Sequence, residues 1–317
     1  MAIGKIANRR DPMRRLFAAV LPATQRYITT DETANAPLRT TGKMQKPPQP
    51  QPPDQAFQYL PELISEMKLG LSRNEFFFVF QPRWNTIAAR VSGCEALIRW
   101  AHPVRGILEP GCFISVVHDS ELATRFTDLL LTSANKQLEK WQHRGHQGLT
   151  LSMNISAVEF TKPDLPDRLR SMLADLLVRK NFFQLELTDV VAPDELRVLT
   201  QAIRAVQATG VRVALDDFGA GMTSLMLLQQ LPVDTLKIAP SLIRNVPDNI
   251  ESRSMLEKLV SLCHRLGKQV VLEGVETKAQ FAWAKTLSHI ECQGYYIAMP
   301  KREEDMDAVL AQGVLSS

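Results

Sequence analysis

Eight polar residues stand where apolar segments of this chain come to an end. Glu95, Asn154, Glu186 and the pair Asp216-Asp217 each lie at or near the close of a different strand-like run, and Lys237, Glu273 and Gln293 follow in the same way on three later runs. In a barrel of parallel strands wrapped by helices, strand C-termini converge on one face, so residues scattered from 95 to 293 would line one pocket. Carboxylates together with a carboxamide are all oxygen donors, a set that suits a hard divalent cation such as Mg²⁺ or Mn²⁺. Glu95, inside Cys94-Glu95-Ala96-Leu97-Ile98-Arg99-Trp100, is costly in an apolar run unless it is paired or metal-bound; a structural salt bridge to Arg99 is the plain alternative. Taken singly, Asn154 reads as a satisfied polar group or cap, and Glu186 as a helix-entry cap. Asp216-Asp217-Phe218-Gly219 is the sharpest local signal, because two adjacent ionised carboxylates need a cation or strong hydrogen bonding. Alone it would read equally well as a solvated turn. Lys237, in Leu236-Lys237-Ile238, would be a buried cation: a Schiff-base nucleophile, a proton-transfer group, or a positioner of water.

The elements that must carry these residues alternate. Strands are expected at Phe76–Gln81, Ala88–Trp100, Leu149–Ile155, Phe182–Leu187, Val211–Leu215, Thr235–Ile238, Val270–Leu272 and Gly294–Ile297. Helical spacing covers Ala56–Leu69, Leu122–Trp141, Leu165–Leu177, Glu195–Ala208, a segment from Ser224, and 251–266, 277–288 and 303–312. Eight strands alternating with helices imply an α/β fold, a TIM-like (β/α)8 barrel. The first two strands are joined by the short turn Trp84-Asn85-Thr86-Ile87, too short for a crossover helix, so one strand should run antiparallel.

Residues 1–55 hold nine Lys/Arg against four Asp/Glu, whereas the remainder is slightly acidic, so the net charge of +3 belongs to the N-terminal arm. The folded part therefore offers no electrostatic case for binding nucleic acid. Arg9, Arg10, Arg14 and Arg15 precede a short apolar patch, Leu16–Ala23, loosely like a signal peptide but interrupted by Pro22. The arm ends in Lys46-Pro47-Pro48-Gln49-Pro50-Gln51-Pro52-Pro53, a polyproline-type spacer. The division is thus a basic, disordered, Pro-rich arm over 1–55 and a barrel domain over 56–317. Cys94, Cys112, Cys263 and Cys292 form no CxxC pair and read as reduced thiols of a cytoplasmic protein, with redox control of Cys94 and Cys292, which flank site residues, as the alternative. No apolar run reaches transmembrane length, and neither a Walker loop nor a G-x-G-x-x-G turn is present.

In order along the chain, Phe80-Gln81-Pro82, Glu95-Ala96-Leu97-Ile98-Arg99-Trp100, Asn154-Ile155-Ser156, Glu186-Leu187-Thr188, Asp216-Asp217-Phe218-Gly219, Lys237-Ile238, Glu273-Gly274-Val275-Glu276 and Gln293-Gly294-Tyr295-Tyr296 resemble the EAL domain of bacterial cyclic-di-GMP phosphodiesterases. The resemblance spans about residues 60–305. It implies hydrolysis of cyclic-di-GMP to linear pGpG with two Mg²⁺ or Mn²⁺ ions. Glu95, Asn154, Glu186 and Asp216 match the ligands of the first ion. Asp216 and Asp217, with Glu273 nearby, match the second. Lys237 matches the lysine that orients or activates the attacking water. Gln81, Arg99, Glu276 and Gln293 match substrate-binding positions, and Asp189 matches the residue that braces the flexible loop at 219–225. The chain departs from the pattern at Ala239, where the family has an acid beside the second ion, in that loop, at Asp189, which replaces a glutamate, and at His118, where a glutamate is usual. These departures imply a slow enzyme or, alternatively, a degenerate domain acting as a cyclic-di-GMP receptor or a protein-binding regulator. A different barrel enzyme with Lys237 as base or Schiff-base residue is the remaining reading. The arm has no room for a sensory domain, so regulation is expected through expression, a protein partner, or self-association as a homodimer.

Overall fold

The computed structural model describes residues 60–118, 120–146, 148–174, 182–188, 196–220 and 225–312; the arm over 1–55 lies outside them. The sheet comprises β1 (Phe76–Asn85), β2 (Arg90–His102), β3 (Gly106–Leu108), β4 (Thr150–Ile155), β5 (Phe183–Leu187), β6 (Arg212–Phe218), β7 (Thr235–Ile238), β8 (Gln269–Leu272) and β9 (Ile290–Cys292). β2, β4, β5, β6, β7, β8 and β9 pair in parallel in that order. β1 closes the ring, antiparallel to both β2 and β9. The result is an eight-stranded barrel with one reversed strand, and β3 adds to β2 as a short hairpin outside the ring.

The tight connection after Asn85 forces the reversal, as its length implies. Asn85 Oδ1 accepts from the amides of Ile87 (3.1 Å) and Ala88 (2.8 Å), which fixes the turn with a side chain in place of a crossover. β5 and β7 are buried along their whole length, as strands with packed faces on both sides must be. Their outward side chains join Leu138, Ile203, Leu256 and Phe281 of the surrounding helices in one continuous apolar layer. A second cluster of Met67, Phe76, Trp100, Phe113, Val117, Leu122 and Phe126 fixes the helix Leu60–Ser72 against the start of β1 and the end of β2. Phe76 stacks on Trp100 at 5.0 Å, and Phe126 meets Phe76 edge-on at 4.8 Å.

Most expected elements stand within a few residues of their places. The strand expected at Gly294–Ile297 does not form: the last strand is Ile290–Cys292, and 294–297 is a turn. The turn is held by Val275 N–H donating to the Gln293 carbonyl (3.0 Å) and Tyr296 N–H donating to the Val275 carbonyl (3.0 Å). The apolar residues Tyr295 to Ile297 follow the strand rather than compose it.

Gly274 has φ +68°, and a Cβ there would lie 2.6 Å from the Cβ of Pro240. Gly274→Ala should therefore lower stability by about 2–4 kcal/mol, adding left-handed strain to overlap with a rigid ring. Urea unfolding checks this, and an unchanged midpoint would mean that Pro240 yields freely.

Candidate active site

Lys237 on β7 is fully buried, and its ammonium lies within 3.0 Å of four carboxylates from four other segments of the ring. The partners are Glu95 Oε2 of β2 (3.0 Å), Glu186 Oε2 of β5 (2.6 Å), Asp216 Oδ1 of β6 (2.9 Å) and Glu273 Oε1 just after β8 (2.8 Å). Asn154 of β4 donates from Nδ2 to Glu95 Oε1 (2.7 Å), and Gln293 Nε2 donates to Glu95 Oε2 (2.7 Å) and to Gln81 Oε1 of β1 (3.2 Å). Six of the residues singled out in the sequence meet around one lysine, with Gln81 one bond further away.

β6 needs a local irregularity to reach this arrangement. Its register with β7 slips between Leu215 and Phe218, and Asp217 takes a left-handed φ of +50°. In a regular strand Asp216 and Asp217 would face opposite sides of the sheet. The bulge re-aims the pair, leaving Asp216 on Lys237 and Asp217 beside it and part-exposed. The segment after Glu273 is tied down as well. Gln280 Oε1 accepts from the amides of Glu276 (2.8 Å) and Thr277 (3.0 Å) in a capping box, and its Nε2 donates to the carbonyl of Ile243 (3.3 Å).

Burial and charge set the proton affinities. Burial would lower the Lys237 value, but Asp216, Glu186, Glu273 and Glu95 together hold it well above the ordinary lysine range. It is an ammonium ion, which leaves the Schiff-base reading without a free amine. Glu95 is lowered against its own burial by Lys237 and by hydrogen bonds from Gln293, Lys237 and Asn154. Burial, opposed by Lys237 and reinforced by neighbouring carboxylates, raises Glu186 to about 7 and Asp216 to about 6. Burial also raises Asp217, and burial with the charge of Asp216 raises Glu273 well above its usual value. Five acids thus face Lys237, with Arg83 the next cation at 3.8 Å from Glu186, and the raised ones keep protons until further positive charge displaces them.

A divalent ion can supply that charge. Glu95, Glu186 and Asp216 each offer an oxygen within 4.8 Å of the others, the one such acidic cluster among the described residues. Two ligands on one Mg²⁺ stand at most about 4.2 Å apart, so a small inward closure would complete the set. Asn154 Oδ1 and Glu186 Oε1 are buried with no hydrogen-bond partner, which is how ligand oxygens are left when the rest of the side chain is anchored. The region matched to a second ion forms no such cluster among the described residues, and Ala239, expected from the resemblance to depart from a family acid, presents a buried methyl group.

Other expected residues lie apart. Arg99 does not pair with Glu95; its guanidinium is 3.6 Å from Glu109 and donates to the Ile98 carbonyl (2.9 Å). Glu276 is exposed at the rim. Asp189 and residues 221–224 of the 219–225 loop lie outside the described residues. The thiols of Cys94 and Cys292 are buried and pushed up to about 12, by burial in each case, so neither is a thiolate poised for redox control.

The sequence reading missed a second polar tier. Gln81, Glu95, Glu186, Lys237 and Gln293 each have a neighbour two residues deeper on the same face of the same strand or its extension: Arg83, Gly93, Gln184, Thr235 and Glu291. Arg83 donates to Gln184 Oε1 (2.9 Å), and Gln184 Nε2 donates to Thr235 Oγ1 (2.7 Å). The alternation from Gln81 to Arg83 was the available signal, hidden because the first strand was expected to end at Gln81.

A family model described as the EAL domain matches residues 64–300. The chain belongs to the EAL-domain family. It is 28% identical over 250 residues to the bifunctional diguanylate cyclase/cyclic di-GMP phosphodiesterase MucR of Pseudomonas aeruginosa, covering 79% of this chain and 36% of that protein. It is also 28% identical over 257 residues to a cyclic di-GMP phosphodiesterase of the same organism, covering 81% of this chain and 44% of that one. The chain thus spans well under half the length of these relatives. The solved phosphodiesterase domain of MucR, in complex with c-di-GMP, superposes with a TM-score of 0.71 at 28% identity over 77% of this chain and 99% of that one. The FimX EAL domain of Xanthomonas citri, also solved with c-di-GMP, shares the fold with a TM-score of 0.70 at 20% identity, covering 78% of this chain and 97% of that one. Among the described residues, no helix of this EAL domain is long and apolar enough to cross a membrane.

Raised carboxylates must lose protons before they ligate, so metal affinity should climb with pH. For Glu186 and Asp216 the folded state holds a proton more tightly than the unfolded chain does, which favours the metal-free fold at low pH. That contribution fades as pH rises through about 6 and about 7. The gain in melting temperature from saturating Mn²⁺ should accordingly be small at pH 5 and grow steadily to pH 8. A gain independent of pH would place the ion elsewhere.

Proposed function

We propose that this EAL domain hydrolyses cyclic-di-GMP to linear pGpG, using a divalent cation held by Glu95, Asn154, Glu186 and Asp216. The observation that carries the reading is the unpartnered pair Asn154 Oδ1 and Glu186 Oε1 within a carboxylate cluster whose charge exceeds that of Lys237. Similarity to two cyclic di-GMP phosphodiesterases supports the choice of substrate. When bound, Mg²⁺ or Mn²⁺ would acidify a water and offset charge on the phosphoryl oxygens.

The chain's own residues do the rest. Glu95 stays ionised at neutral pH because Lys237, Gln293 and Asn154 all donate to it. Lys237, fixed as an ammonium, faces four carboxylates and would donate to the attacking water once one of them turned from it toward the cation. Glu273, 2.8 Å from Lys237 just after β8, is the carboxylate placed to take the proton from that water when ionised. Asp217, at the bulge and part-exposed, faces the same space and shares in positioning the water. Attack forms a new P–O bond in line with the ribose 3′ oxygen as the bond from phosphorus to that 3′ oxygen breaks, leaving a 5′-phosphate and a 3′-hydroxyl that takes its proton from solvent. Gln81, Arg99, Gln293 and Glu276 line the route for the nucleotide, and Arg99, near the C-terminal end of β2, is the cation that meets a substrate phosphate.

The buried methyl of Ala239 favours a second reading, a domain that binds the nucleotide or a protein partner without turnover. Chromatographic detection of pGpG from purified protein with Mg²⁺ or Mn²⁺ separates the two. Glu95→Ala should fold, because Lys237 keeps three carboxylate partners, and should lose more than about 100-fold in turnover, beyond what outer partners of a metal site contribute. Tight nucleotide binding without product at any metal concentration would instead support the receptor.

Ala239→Asp restores a carboxylate at the end of β7. Its initial rate should exceed that of the wild type several-fold if a missing second-ion ligand limits turnover; a fall would show that the site has adapted to alanine.

A further inference from the structure

We propose that Arg83 is a positioning residue for metal binding at Glu186, seated in a socket that Gly93 and Gln184 build beneath the site. The proposal rests on reading Glu95, Asn154, Glu186 and Asp216 as a divalent-cation site. Arg83 is 1% exposed, and a guanidinium taken that far from water is costly unless it is well paired. Its pairing is unusual. It makes one good hydrogen bond, to the neutral oxygen of Gln184 (2.9 Å), while the nearest carboxylate oxygens, Glu186 Oε1 and Glu291 Oε2, stand at 3.8 and 3.7 Å. Its Nε has no hydrogen-bond partner. An arginine serving stability alone would close a two-pronged fork on one carboxylate.

The socket prevents that closure. Gln184 is itself held, donating to Thr235 Oγ1 at 2.7 Å, and its Oε1 engages the same Nη1 that stands 3.8 Å from Glu186 Oε1, so that nitrogen is already committed. At Gly93 a Cβ would come within 2.9 Å of the Arg83 Nη2 and 2.5 Å of the Thr150 carbonyl, so only glycine leaves room for the guanidinium there. The two oxygens of Glu186 are then treated differently. Lys237 takes Oε2 in a 2.6 Å bond, whereas Oε1 feels a positive charge at 3.8 Å but gives up no lone pair to it. That is the arrangement a ligand oxygen needs, since the field favours the ionised carboxylate and the coordinating electrons stay free. Arg83 touches neither substrate nor ion; it acts through Glu186.

The test is Mn²⁺ titration calorimetry on the full chain, alongside melting of the metal-free protein. Arg83→Met keeps length and volume without charge, and should weaken Mn²⁺ affinity about 10- to 100-fold, as loss of an outer partner does at other metal sites. Arg83→Lys, which returns the charge, should recover most of it; a purely structural role would move melting without this split. Mn²⁺ affinity in Arg83→Met equal to that of the wild type overturns the proposal. Should Arg83→Met fail to fold, Gln184→Met decides: the guanidinium, released from its anchor, closes on Glu186 Oε1 and competes with the ion, so affinity falls several-fold, and no change overturns the proposal. Failure of the underlying reading has a different signature. Wild-type protein that takes up no Mn²⁺, or takes it up equally after Glu95→Ala, removes the site itself and Arg83's role with it.

Discussion

The ammonium of Lys237 is the point on which the interior of this barrel converges. Four carboxylates within 3.0 Å of one another's shared cation could not be packed together without it. A buried ion costs several kcal/mol to desolvate, and removing one partner from such a group costs about 3–5 kcal/mol. Lysine offers a compact charge with three donors, and here it meets acids from four directions, a geometry the planar arginine fork could not supply. Even so, one cation against four or five acids leaves a surplus of negative charge. Burial first, and the neighbouring carboxylates after it, raise the proton affinities of Glu186, Asp216 and Glu273, although Lys237 pulls each of them down. On the proposed reading, this crowding of acids is what would draw a divalent ion.

Backbone geometry makes this convergence available. Closure of the ring by the reversed β1 brings Gln81 opposite Glu95 and Arg83 opposite Gly93. The bulge in β6 spends regular pairing to place two adjacent acids at one site. Because alternate residues share a face, each site residue on a strand stands directly above a second residue on the same strand, and the tier of Arg83, Gln184, Thr235 and Glu291 becomes the floor of the site. Arg83 of this floor stands 3.8 Å from Glu186 Oε1, while Lys237 holds Oε2 at 2.6 Å. Local choices such as the Asn85 turn and the Thr277 capping box serve the same end by fixing where strands and loops begin.

How much of this was legible in the sequence depended on where each polar residue stood relative to apolar ones. Glu95, Glu186, Asp216 and Lys237 are conspicuous because each interrupts or ends a run of apolar residues, and their burial was implied by that alone. The hairpin followed from the length of one turn. Arg83, Gln184 and Glu291 were not conspicuous: Arg83 lay past the apparent end of its strand, Gln184 looks like an ordinary polar residue in a strand, and Glu291 sits in a three-residue strand too short to register as a run. That short strand also explains the displaced ninth element, since Ile290 and Cys292 bury outward while the apolar turn after Gly294 imitates a strand in composition. The pairing of Arg99 with Glu109 could not be read locally, because Glu109 arrives through the β2–β3 hairpin.

The central claim is that the carboxylate cluster around Lys237 is a cation site and not merely a buried salt-bridge network. Anomalous diffraction from crystals grown with Mn²⁺ at pH 8 tests it most directly. The account predicts a single strong peak within about 2.3 Å of oxygens from Glu95, Asn154, Glu186 and Asp216, with Glu186 contributing Oε1. Crystals soaked in Mn²⁺ with no peak in the barrel, and Lys237 still bonded to all four carboxylates, would contradict it.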